Sequence, residues 1–137
     1  MSPRVVSIER LQPSQLYVSK DKLLAVEAAY SAGGQEEALP VWEWNSMLVL
    51  TDGHTRALAA LLRGQEDVPV YEDTDDLDWD AYRICVGWCL EEGIRSVADL
   101  QDRVIPAGRY EELWLGRCQR MHRRLAAMRQ ERKGRPE

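Results

Sequence analysis

The stretch Leu50-Thr51-Asp52-Gly53-His54-Thr55-Arg56-Ala57-Leu58-Ala59-Ala60 concentrates the residue types best suited to chemistry. An apolar strand signal runs through a glycine straight into a helix signal. That passage leaves the first backbone N–H groups of the helix without intrahelical acceptors, with the positive end of the helix dipole behind them. It is a natural cradle for phosphate. Gly53 lets the backbone approach an anion or adopt a positive φ. His54 and Arg56 add donors, Thr55 adds a hydroxyl, and Asp52 can hold Mg²⁺ or orient an acceptor hydroxyl. Asp52 and His54 are therefore the catalytic candidates, and Gly53, His54, Thr55 and Arg56 the phosphate-binding ones. The competing expectation is purely structural: Asp52 caps, Gly53 turns and Arg56 forms a salt bridge. The lysine of a P-loop is missing.

A second constellation is Cys85-x3-Cys89 with Cys118-x3-His122. Each pair is spaced i, i+4 and shares a helix face. Two antiparallel helices could then converge four zinc ligands. The competing expectation is core packing, because free cysteine behaves as a small hydrophobe and the same faces carry Tyr82, Val86, Leu113, Met121 and Leu125. Lys20 and Lys22 either close over a nucleotide or are ordinary surface lysines. Trp42 and Trp44, two apart on a strand, share one face. They serve the core or a subunit contact, or stack a base. Trp79, Trp88 and Trp114 are expected to anchor the second half of the chain.

The elements that must position these groups follow from periodicity and punctuation. Val5 to Leu11 is rich in β-branched residues and stops at Pro13, which predicts a strand. Ser19 is placed to cap a helix from Lys20 to about Tyr30, ended by Gly33-Gly34. Leu39 to Trp44 and Met47 to Thr51 flank Asn45-Ser46 as a hairpin. The helix from His54 to Arg63 carries the stripe Ala57, Leu58, Leu61, Leu62 and ends at Gly64. Val68 to Tyr71 predicts a short strand, which Pro69 confines to an edge or a strand end. Beyond it lie a helix from Leu77 to Glu92, a short helix from Val97 to about Val104 behind a Ser96/Asp99 capping box, and a long helix from Tyr110 to about Gln130.

With 137 residues, 45% of them hydrophobic and 30% charged, the chain suits one globular domain. The apolar runs are too short to span a membrane, and the first residues lack the apolar core of a secretory signal. Three cysteines are too few for a disulfide scaffold. The expectation is a cytoplasmic protein without a membrane partner. The net charge of -5 argues against attraction of the whole surface to nucleic acid. Charge is unevenly spread. Glu66, Asp67, Glu72, Asp73, Asp75, Asp76, Asp78 and Asp80 follow one another without a Lys or Arg, and predict a solvated linker; a metal site is the alternative, although the spacing is not that of an EF-hand. From Arg117 onward bases dominate, against only Glu131 and Glu137. This basic tail is the one place expected to touch nucleic acid.

The order Ile8-x-x-Leu11-x-Pro13, then Leu39-Pro40-Val41, then Asp52-Gly53-His54-Thr55-Arg56-Ala57, then Gly64 and Val68-Pro69-Val70 resembles the N-terminal domain of ParB and its sulfiredoxin-like relatives. The resemblance spans residues 5 to 72, about half the chain. It implies an α+β fold with a small mixed sheet and a strand–loop–helix motif that binds nucleotide phosphates. The catalytic cysteine of the sulfiredoxin branch has no counterpart between Asp52 and Arg56. The two arginines of the partition branch are matched by Arg56 alone. Asp52-Gly53-His54-Thr55-Arg56 is most similar to the Asp-Gly-His-His-Arg motif of the free-serine kinase branch, from which it differs at Thr55. The glutamate base of that branch falls here at Ser14 or Gln15, and Glu9 and Glu43 are the other candidate carboxylates for the role.

The expected organisation is a ParB/sulfiredoxin-like domain over 1–73, a helical extension packed on it over 74–130, and a disordered tail over 131–137. The expected function is nucleotide or phosphate binding with Mg²⁺, as an ATP- or ADP-dependent small-molecule phosphotransferase or a nucleotide hydrolase. The alternative is a non-catalytic regulator or adaptor that contacts DNA or protein. A homodimer is compatible with either.

Overall fold

A five-stranded mixed sheet, with β1 (Arg4–Ser7), β6 (Asp67–Glu72), β4 (Leu39–Trp44), β5 (Met47–Leu50) and β2 (Leu11–Gln12) in that order, carries the first half of the chain. The computed structural model describes residues 3–34 and 36–134. Its first strand, β1 (Arg4–Ser7), does not run on to Leu11 as the β-branched pattern suggests. Ser7 Oγ accepts the Glu9 N–H at 3.3 Å and starts a 3-10 turn over Ile8–Arg10. That turn lifts the chain from one edge of the sheet to the other, where β2 (Leu11–Gln12) pairs in parallel with β5 (Met47–Leu50). A one-residue alternation pattern cannot report such a crossing, because both flanking pieces are extended and apolar.

β4 (Leu39–Trp44) and β5 form the predicted hairpin. Asn45 and Ser46 have φ of 54° and 64°, the two positive values that a tight turn matching the strand twist requires. Serine is poorly suited to that region, so Ser46→Gly is expected to stabilise the fold. Relief of the left-handed strain, about 1–2 kcal/mol, exceeds the added flexibility of the unfolded glycine chain, about 0.5–1 kcal/mol. A urea midpoint that falls in this variant would contradict the turn assignment.

β6 (Asp67–Glu72) is an interior strand, so of the two places that Pro69 predicts, an edge or a strand end, the edge is overturned. It pairs antiparallel with β1 and parallel with β4. The β4 ladder covers Val70 to Glu72, one residue past Pro69, so the missing N–H precedes the central pairing. α2 (His54–Leu62) is buried more widely than one stripe. Ala59 and Ala60 are inside while Leu62 is exposed, because α2 packs both on α1 (Lys20–Ser31) and on the 3-10 segment Val97–Arg103.

The second half folds over the first. Asp78 accepts the Ala81 N–H and caps α3 (Trp79–Glu91). The Ser96/Asp99 capping box forms, but the turn it starts is 3-10 and hands over to β7 (Val104–Ile105). β7 pairs in parallel with β3 (Val18–Ser19), a contact that no local pattern announces. The last helix begins earlier than expected, as α4 (Ala107–Tyr110), passes through a π-helical turn at Glu111–Leu115, and continues as α5 (Gly116–Gly134). It therefore covers residues 131–134, expected to fray; the remainder of that tail, 135–137, lies outside the described residues. One hydrophobic core joins both halves: Leu11, Val41, Leu58 and Val70 share it with Cys85, Cys89, Trp114 and Met121. No helix of the described residues is long and apolar enough to cross a membrane.

Candidate functional site

Thr51 ties the end of β5 to its surroundings. Its N–H donates to Pro40 O at 3.1 Å, its hydroxyl donates to Asp73 Oδ2 at 2.6 Å, and its carbonyl accepts from the Tyr82 hydroxyl at 2.8 Å. One residue thus fixes the β5 end, the loop after β6 and α3 together. Gly53 follows in the left-handed region, φ 76°, as the residue before α2. Its N–H donates to Asp52 Oδ1 at 2.8 Å. Asp52 is thereby turned into the loop, and no side chain caps α2. The first helical bond is Ala57 N–H to Gly53 O at 2.9 Å, so the N–H groups of His54, Thr55 and Arg56 stay uncapped. That is the arrangement an anion needs.

His54 plays a different part from the one its position suggests. It is buried, and its Nε2 accepts the Ser14 N–H at 2.9 Å, while the Ser14 hydroxyl donates to Leu50 O at 2.6 Å. Nε2 must then be unprotonated, which places the proton on Nδ1. Burial pushes the imidazole pKa down to about 4, with Asp52 opposing the shift. His54 is a neutral group that anchors the Ser14 loop, and only its Nδ1–H remains to donate to a ligand.

Arg56 is separated from this neighbourhood. Its guanidinium folds over Gly53 and donates to Glu37 Oε2 at 3.2 Å. It borders a small side cavity of about 170 Å³ against α1, with Tyr30 and Gly34.

Asp52 and His54 instead line a cavity of about 480 Å³ together with Ser14, Gln15 and Lys22. The acidic run supplies three more carboxylates to it, Asp73, Asp75 and Asp78. These residues were expected in a solvated linker; Asp73 and Asp78 are in fact fastened by Thr51 and Arg129. The available signal was their position just past a strand end, where sites are built. Arg129 holds the Asp78 carboxyl below its usual range, chiefly by hydrogen bonding. Tyr82 is pushed up to about 12 by burial and then by Asp52 and Asp73, so its phenol stays neutral. Lys22 Nζ lies 5.2 Å from the Tyr110 ring centroid at the cavity edge, whereas Lys20 is not among the lining residues. Glu9 and Glu43 do not line it either, and Glu43 pairs with Arg4 at 2.7 Å. A larger cleft, about 690 Å³, runs between α3 and α5 beside Trp88 and Met121, and none of the residues from Asp52 to Arg56 reaches it.

The zinc arrangement does not form. Cys85 and Cys118 meet, but Cys89 lies one turn further along α3 beside the Gln15 backbone, and His122 is exposed. Among the described residues no three His, Cys, Asp or Glu side chains converge as a metal set. Magnesium asks for less, one or two carboxylates plus the oxygens of a bound phosphate, and Asp52 with Asp73 fits that donor type. Trp42 and Trp44 are stacked, 5.3 Å apart, and Trp79 covers Trp42 at 4.3 Å. Trp88 and Trp114 meet edge to face at 6.1 Å.

No family model and no curated protein matches the chain. Solved structures do. A protein from Agrobacterium tumefaciens is similar in fold, with a TM-score of 0.52 and 16% identity over 73% of this chain and 61% of that one. A free serine kinase in complex with AMP has a TM-score of 0.47 and 16% identity over 57% of this chain. A conserved hypothetical protein from Pyrococcus furiosus has a TM-score of 0.47 and 14% identity over 56% of this chain. The chain spans about a third of the length of these last two. The chain's fold is α+β with a mixed sheet and a long C-terminal helix, and the likeness to the Agrobacterium protein is one of fold alone.

Proposed function

We propose that this protein is a ParB/sulfiredoxin-like nucleotide-binding protein that takes the phosphates of a Mg²⁺–nucleotide at the start of α2. The observation that carries the reading is the uncapped helix N-terminus, opened by a left-handed Gly53, beside a cavity edged by Asp52 and Asp73. The N–H groups of His54, Thr55 and Arg56 would receive phosphate oxygens, as would the Nδ1–H of His54. Arg129 pairs with Asp78, but Asp52, Asp73 and Asp75 repel a bare polyphosphate, and Lys22 alone does not balance them. A magnesium ion held by Asp52 and Asp73 would supply the missing positive charge and bridge to the phosphates. Those roles suit phosphoryl transfer to a small molecule or nucleotide hydrolysis.

A second reading, a non-catalytic adaptor, has its own support. Neither Glu9 nor Glu43 is at the cavity to serve as base, and α5 carries Arg120, Arg123 and Arg124 on its exposed side. Under that reading a DNA complex would weaken steeply with salt.

A thermal-shift series with ATP, ADP, CTP, GTP and pyrophosphate, with and without Mg²⁺, tests the first reading. A nucleotide at about 100 times its dissociation constant stabilises by about 2.7 kcal/mol. The expected result is a rise in Tm that requires Mg²⁺ and disappears in Asp52→Asn. A shift of equal size without Mg²⁺ defeats the metal role, and no shift with any ligand defeats nucleotide binding.

A further inference from the structure

Three cysteines are free, and they are not equivalent. Cys85 on α3 is buried, and Cys118 on α5 is half-buried. Both line the cavity of about 480 Å³, so a small solute that enters it reaches the two sulfurs from one side. Cys89 is fully buried and does not line the cavity. Of the two thiols that share this cavity, Cys85 is the one that can donate a hydrogen bond to the Cys118 sulfur as the latter ionises. That bond, with the Arg117 guanidinium beside it, holds the Cys118 thiol below the usual range, while burial raises its pKa in part. Cys85 is pushed up by the same bond and by burial, and burial pushes Cys89 up to about 12. The groups that face the pair are Arg117, Cys89 and the Tyr110 phenol.

We propose that Cys118 and Cys85 form a peroxide-reactive dithiol, with Cys118 as the attacking sulfur and Cys85 as the resolving one. The Cys118 thiolate attacks one oxygen of a hydroperoxide. The O–O bond breaks, the leaving oxygen takes a proton to depart as water or an alcohol, and Cys118 becomes a sulfenic acid. Cys85 Sγ then attacks Cys118 Sγ. The S–O bond breaks, the hydroxyl leaves as water with the Cys85 proton, and a disulfide links α3 to α5. Two thiols are oxidised and one hydroperoxide is reduced. The bond closes the long segment of chain between Cys85 and Cys118. A half-exposed thiol of lowered pKa next to a resolving thiol is the arrangement that selective oxidation needs. The pair lines the same cavity that Asp52 and Asp73 edge, but the reaction uses none of the groups that would hold a nucleotide.

The test is to treat the full chain with hydrogen peroxide, without reductant, and to follow intact mass and the non-reduced peptide map. The expected product is a monomer about 2 Da lighter, with the Cys85 peptide joined to the Cys118 peptide and with a raised Tm. Cys89→Ala is expected to react like the wild type. In Cys85→Ala, Cys118 should accumulate as a sulfenic acid that dimedone captures. A linkage through Cys89, a disulfide between two chains, or thiols that survive as long as free cysteine in the same solution would overturn the proposal. The connectivity is read from the peptide map of the wild type, so the test holds whether or not a variant folds.

Discussion

Between pH 7 and pH 4, in metal-free buffer, the folded state is expected to lose about 3 kcal/mol through His54 alone. The imidazole falls from 6.5 to about 4 on folding, and each pKa unit corresponds to about 1.36 kcal/mol. The unfolded chain takes up the proton as the pH passes 6.5, whereas the folded one resists until about 4. In that window the unfolded state binds more protons, so stability falls as the pH falls. The contribution is complete above 6.5 and gone below 4. The Asp78 carboxyl, held low by Arg129, acts in the same direction at lower pH, since a depressed carboxylate loses its contribution as it protonates. Urea denaturation at pH 7, 5.5 and 4 separates the two. His54→Asn should be less stable at pH 7, yet its stability should change much less between pH 7 and pH 5. Equal slopes for wild type and variant would mean that His54 is solvated.

The second large effect is at Gly53. An added Cβ would lie 2.8 Å from Arg56 Nη2 and 2.9 Å from Leu39 Cδ2, with φ held at 76°. The guanidinium can move aside; Leu39 is buried and cannot do so freely. The left-handed conformation costs about 1–2 kcal/mol and the crowding about 1–3 kcal/mol. Gly53→Ala is therefore expected to lose about 2–5 kcal/mol and to displace Arg56 from Glu37. Gly64 is the control, because its φ is 84° and nothing lies within 4 Å of an added Cβ. Gly64→Ala should show the conformational cost alone. If the two variants unfold at the same urea concentration, Gly53 is an ordinary turn glycine and the close approach has no energetic weight.

Local signals carried over well where one residue type meets one backbone need. Asn45-Ser46, the Ser96/Asp99 box and the start of α2 behind Gly53 are of this kind. They failed where a neighbour in space made the decision. Ser7 interrupts an extended apolar run, and the resulting turn changes sheet edges. Pro69 sits inside the sheet because the β4 ladder begins only after it. β3 and β7 are two residues each, too short for any period to show.

The same division applies to the site. Composition and spacing alone determined that Asp52 to Arg56 would form a strand–loop–helix passage with a glycine at its hinge, since helix starts and left-handed turns are properties of neighbouring residues. Only the tertiary structure decided what that passage faces. Ser14, far away in sequence, took the Nε2 of His54 and made it neutral. Glu37 drew Arg56 to another cavity, and the loop after β6 brought Asp73 and Asp75 beside Asp52. Those outcomes depend on desolvation and on charges brought together by packing, which no local spacing along the chain encodes.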